Sequence, residues 1–127
     1  MKYINEEAMP DQCPPAVAKS ENVKDVFRFL EKDVPNAVDF DNHITRNKWY
    51  GPESNKCSAI ALSFFTTPEK VSAERIRIKK FRKASVVKGD IHEHHGVHSI
   101  SNFHLNLWVF NGINLFEEFT RKEESNK

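Results

Sequence analysis

The chain has 127 residues, of which 39% are hydrophobic and 29% charged. Its 19 Lys and Arg nearly cancel 18 Asp and Glu, and a formal net charge of +1 points neither to nucleic acid nor to an anionic membrane. The length suits one domain. No apolar run nears the roughly 20 residues of a membrane span, and residues 1–7 lack the apolar segment of an export signal. A soluble cytoplasmic protein is therefore expected, its two cysteines, Cys13 and Cys57, standing as reduced thiols, with a structural bridge between them or a reactive cysteine as the alternatives.

Residues 1–19 hold Pro10, Pro14 and Pro15, which forbid a helix there and favour an extended arm pinned by Tyr3, Ile4, Met9 and Val17. Residues 20–34 read two ways. Val23, Val26, Phe27 and Leu30 have helical spacing, whereas Phe27, Arg28, Phe29 and Leu30 are dense in strand formers. Asn36 can cap a short helix carrying Val38 and Phe40. Residues 45–57 form a polar loop around Trp49, Tyr50, Gly51 and Pro52. Its two aromatics are a lid over the core or a ligand-stacking surface. Residues 58–65 are small and apolar throughout and predict a buried strand. Thr67 as cap and Pro68 at the first helical position open a short helix to about Glu74.

From Arg75 onwards isoleucines alternate with basic residues, predicting strand character to residue 91, with a bulge or close approach at Gly89. Residues 92–101 read as a connector rich in histidine. Residues 102–110 alternate most clearly. Phe103, Leu105, Leu107 and Val109 share one face of a strand, and His104, Asn106, Trp108 and Phe110 the other. Asn111 and Gly112 make a turn, after which Ile113–Phe119 returns as a strand or short terminal helix, and the tail from residue 120 is frayed. The fold class that follows is α+β: a single domain with a mainly antiparallel sheet of four to five strands and two or three short helices on one face.

Chemistry concentrates in two places. Five of six histidines fall between His92 and His104. His92 and His94, two apart, face the same side of a strand, and His104 or Asp90 could complete the shell of a divalent transition metal. The same imidazoles fit a solvated loop, a pH-responsive interface, or acid–base work by His94, His98 and His104 with Arg28. The second place is residues 75–88, with seven basic residues and no acid, against nine acids and five bases in residues 1–43. Arg77 and Lys79 lie on this strip, which suits a protective edge strand or a partner surface. Phe81 is its one aromatic, which argues against nucleic acid.

Three segments resemble small uncharacterised bacterial proteins carried in mobile gene cassettes. They are Phe27, Arg28, Phe29 and Leu30 with Pro35, Asp39 and Phe40; then Ala61–Thr66 with Glu69; then Val86, Val87, Lys88 and Gly89 with His104 and Trp108. The resemblance implies a strand over 26–30 and supplies no activity. The order of Arg28, Ser63 and an acidic helix start also resembles ADP-ribosyltransferase-like folds. That likeness implies dinucleotide contacts at Arg28 and Ser63, while Glu117 and Glu118 lie beyond a turn where the late catalytic glutamate would be expected. With no complete catalytic set, the expectation is a non-enzymatic binding or interaction module, without an obligatory cofactor. It would dock a protein or small-molecule ligand through Trp49, Tyr50, Trp108, Arg77 and Lys79, and self-associate as a homodimer.

Overall fold

The structure is a computed structural model that describes residues 2–30, 36–46, 51–77 and 85–120. Five strands, β1 (Val23–Phe29), β2 (Leu62–Phe65), β3 (Val86–Ile91), β4 (Gly96–Ser101) and β5 (His104–Val109), form one sheet. Their order is β3-β1-β2-β5-β4, and every neighbouring pair is antiparallel. Three α-helices accompany it: α1 (Lys56–Ile60), α2 (Pro68–Arg77) and α3 (Leu115–Thr120). This is the α+β architecture expected, with the helices divided between the two faces instead of sharing one.

Strand alternation sorts the core. Val26, Leu62, Phe64, Ile91, Leu105, Leu107 and Val109 point to one face, where Phe40, Leu115 and Phe119 close over them. The Phe64 and Phe119 rings lie 5.3 Å apart, and each fully buried apolar side chain of this size contributes about 1.5–3 kcal/mol. A Cβ at Gly89 would come within 2.7 Å of the Phe119 ring, so the close approach anticipated at this glycine seats α3 on β3. Asn114 begins α3, its side chain accepting from Glu117 N at 3.1 Å.

On the opposite face Trp108 is 2% exposed and packs with Ile60 and Ala61 under Tyr3, Met9, Cys13 and Ile44. Its indole nitrogen donates to the Cys57 carbonyl at 2.9 Å. The expectation of a Trp108 that meets ligands is thus corrected, because the N-terminal arm and α1 seal it. The expectation of free thiols is corrected as well: Cys13 and Cys57 form a disulfide that ties this arm to α1. The arm is further held by bridges of Tyr3 to Phe110 and Lys19 to His98.

Other expectations fare unequally. The strand reading of residues 26–30 holds as β1. Asn36 caps a 3-10 turn over Ala37–Phe40 in a reciprocal box with Asp39. The stretch 58–65 is not one strand but the end of α1 followed by β2, since an unbroken apolar run has no period to separate helix from strand. Arg75 and Arg77 are helical. The Thr67 cap, donated to by Lys70 N at 3.1 Å, and the Lys70–Glu74 and Arg77–Glu74 pairs carry α2 past its expected end. The histidine-rich connector is a turn followed by β4.

The residue at the head of the clearest strand also moves. Asn102 and Phe103 have φ of 53° and 64° and make the two-residue turn between β4 and β5, where a tight hairpin demands positive φ at both positions. Phe103 is consequently 55% exposed and sits in a backbone region that L-residues with bulky side chains avoid.

Candidate functional site

A polar cleft opens on the face opposite α3, between α2 and the β4–β5 hairpin. Its volume is about 270 Å³, and Phe65, Lys70, Glu74, Ser99, Ser101, Asn102, His104 and Asn106 line it. The registers that pair Ser99 with Asn106 and Ser101 with His104, and Ser63 with Asn106, place these side chains on one sheet surface by strand alternation. Lys70 and Glu74, one helical turn apart on α2 and 3.7 Å from each other, form the opposite wall.

His104 is fixed by an aromatic ladder across three adjacent strands. Phe29 stacks on Phe65 with ring centres 5.8 Å apart, and Phe65 on His104 at 5.2 Å. The imidazole Nε2 is buried with no hydrogen-bond partner. Burial pushes the His104 pKa down, against the attraction of Glu74 and with the repulsion of Lys70, so the ring is held towards its neutral form. Hydrogen bonds from Arg77 hold the Glu74 carboxyl below its usual range. The cleft therefore presents two hydroxyls, two carboxamides, an imidazole and a Lys70–Glu74 ion pair whose carboxylate is shared with Arg77.

A second group lies at the far end of the hairpin, five residue steps or roughly 16 Å along β4. The turn 92–95 brings together the rings of His92, His94 and His95, with ring-centre separations of 4.4 to 5.6 Å. His94, His95 and Glu118 each offer a donor atom within 4.8 Å of the others. His95 is fully buried. Its Nδ1 accepts the amide of His92 at 2.9 Å, which leaves the ring proton on Nε2, 3.5 Å from Glu118 Oε1. Burial first, then the neighbouring imidazoles, lower the His95 pKa, while Glu118 raises it. The turn is fastened from outside, since Ser20 Oγ donates to the Glu93 carbonyl and Glu93 N donates to Asn22 Oδ1.

The sequence-based candidates scatter across these places. His94 stays in the turn. His98, paired with Leu107, faces the core and is buried, its Nδ1 without a partner and its pKa lowered mainly by burial. His104 stands on the opposite face. The imagined shell of His92, His94 and His104 therefore does not assemble, because strand length and side-chain parity separate the third histidine from the other two. Arg28 is also elsewhere. Its guanidinium lies between Phe40 and Phe64, 5.6 Å from each ring centre. It donates at 2.7 Å to the carbonyls of both Asp39 and Ser63. Burial lowers its pKa to about 10, so it remains charged at neutral pH. This is an internal clamp on the backbone of the Ala37–Phe40 turn and of β2, closed to a dinucleotide. Arg77 is engaged with Glu74 at 2.8 Å. Trp49, Tyr50 and Lys79 lie outside the described residues.

Sequence reasoning missed Ser99, Ser101, Asn106, Lys70 and Glu74 as cleft residues, and Glu118 as a neighbour of the histidines. The alternation of Ser99 and Ser101 was the available signal, hidden because the segment was read as a connector. No helix of the described residues is long and apolar enough to cross a membrane. No family model matches the chain, and neither a curated protein nor a solved structure was found to be similar to it.

Proposed function

We propose that this protein is a non-enzymatic binding module that holds a small, uncharged, polar ligand in the cleft between α2 and the β4–β5 hairpin. The observation that carries this reading is a cavity of about 270 Å³ lined by seven polar residues over a Phe65 floor. Glu74 pairs with both Lys70 and Arg77, so both cations are already engaged, which disfavours a phosphate or carboxylate as the main ligand. The hydroxyls, carboxamides and neutral imidazole match the donors and acceptors of a sugar unit or an amide. The volume falls below that of drug-sized pockets, so the ligand is a single ring or one residue of a chain. The other catalytic candidates lie outside this cleft, which supports binding over chemistry. The Cys13–Cys57 bridge favours an oxidising compartment over the cytoplasm.

Backbone amide NMR tests the reading with glucose, N-acetylglucosamine, uridine and inorganic phosphate as probes at millimolar concentration. A neutral probe is expected to shift Ser99, Ser101, His104 and Asn106 together, and phosphate to leave them in place. Phosphate alone moving them, or no probe moving them, overturns it.

A second reading, self-association, rests on the outer strand β4. Gly96–Ser101 contains no Lys, Arg, Asp, Glu or Pro, the residues that ordinarily guard a sheet edge; Lys19 of the arm pairs with that edge at His98, which leaves its Ser99–Ser101 end for a second copy. Ile100 is 48% exposed beside the exposed Phe103. Light scattering is expected to report a dimer that Ile100→Lys dissociates; a monomeric parent protein sinks this reading.

A further inference from the structure

We propose that His92, His94 and Glu118 form a site for a divalent transition metal of the zinc–nickel class, with His95 as the residue that positions Glu118. This site is independent of the cleft and of whatever the cleft binds. Its first support is proximity. The ring centres of His92 and His94 lie 5.6 Å apart, and two imidazoles on one tetrahedral ion at ordinary metal–nitrogen lengths hold their centres about 5 Å apart. Glu118 reaches the same place from α3, its donor atom within 4.8 Å of that of His94. His92, His94 and Glu118 are solvent-exposed, and the His92 ring, which lies at 13° to that of His94, is free to turn its donor nitrogen towards the other two.

The second, independent support is His95. It is fully buried, and its Nε2 has no hydrogen-bond partner although it faces Glu118 Oε1 at 3.5 Å. A buried N–H left without an acceptor is costly. The His92 amide occupies the only lone pair of the neutral ring, so His95 can donate to a carboxylate but cannot ligate. Drawing Glu118 a few tenths of an ångström inward satisfies that N–H and leaves the second carboxylate oxygen for a cation. A buried group that orients a ligating carboxylate in this way is the usual outer shell of a metal site. The two imidazoles and one carboxylate are the ligand types that zinc and nickel accept, and three protein donors leave an open position.

Calorimetric titration of the tag-free protein with zinc chloride tests the proposal. One equivalent is expected to bind, with affinity falling at least about tenfold in His94→Ala and in Glu118→Gln and unchanged in His104→Phe. His94 and Glu118 are exposed, so both variants are expected to melt as the parent does, keeping a loss of binding distinct from unfolding. Cobalt substitution reads the role of His95: His95→Gln is expected to weaken binding and to change the visible absorption of the bound ion. The absence of saturable zinc binding overturns the site, as does affinity that survives Glu118→Gln. A cobalt spectrum and affinity that His95→Gln leaves intact overturn the positioning role.

Discussion

The β4–β5 hairpin carries histidines at both of its ends, in opposite circumstances. Where the chain enters β4, a four-residue turn gathers three imidazoles beside the carboxylate of Glu118. Where β4 turns into β5, a single imidazole is locked onto Phe65 in a cleft that has no other histidine. A turn makes side chains converge, whereas a strand face spaces them and sends alternate ones through the sheet. Histidines crowded together in sequence thus end in two separate surroundings, and His98 between them becomes part of the core.

The largest effect is expected at the turn end. A Cβ at Gly96 would stand 2.1 Å from the Trp108 carbonyl oxygen, and backbone in a sheet cannot yield. Gly96→Ala is expected to cost about 4 kcal/mol or more in urea denaturation; a loss under about 1 kcal/mol would mean that β4 does not lie as described. Cys57→Ser comes next. It unties the arm that covers Trp108, and with the cysteines 44 positions apart in the chain the expected loss is about 2–4 kcal/mol. Unchanged thermal stability under non-reducing conditions would argue that the bridge does not form.

At the cleft end the effects are smaller and of both signs. Phe103→Gly is expected to stabilise the hairpin by about 1 kcal/mol, since glycine adopts a φ of 64° without the steric cost that phenylalanine bears. A destabilised variant would show that the Phe103 side chain contributes packing that outweighs its strain. His104→Phe keeps the stack on Phe65 and removes a buried unpaired nitrogen, so stability should stay within about 1 kcal/mol while any probe that shifts the cleft amides loses its effect.

The same variant sharpens the pH dependence. His104 and His98 have folded pKa values below the ordinary 6.5. The unfolded chain therefore takes up protons first, and stability, level above pH 6.5, falls as the pH drops from there towards the folded values. Around His104 the charged neighbours are Glu74 and Lys70, both on α2. Denaturation midpoints measured on either side of pH 6.5 should fall less in His104→Phe than in the parent; equal slopes would show that His104 does not carry this dependence.

Local rules made much of the architecture legible. The Asn36 cap, the Thr67–Pro68 helix start and the period-two run through Leu105, Leu107 and Val109 follow from residue types at fixed offsets, and they hold in the structure. Features that depend on what lies across the sheet were not legible in the same way. Trp108 and His104 alternate on one strand face, yet one is sealed by an arm more than 90 positions away in the chain and the other opens on a cleft. Ser99 and Ser101 line a cleft only because α2 faces them across it, and Glu118 meets His94 only because Phe119 seats α3 against Gly89.

What the sequence determined by itself is the Asn36 cap, the start of α2 and the alternation of β5, since caps, prolines and alternation act over a few residues. What only the tertiary structure decided is which histidines share a neighbourhood, whether the cysteines meet and which tryptophan face is covered. Those outcomes depend on strand order and on the packing of distant segments, and no local period encodes them.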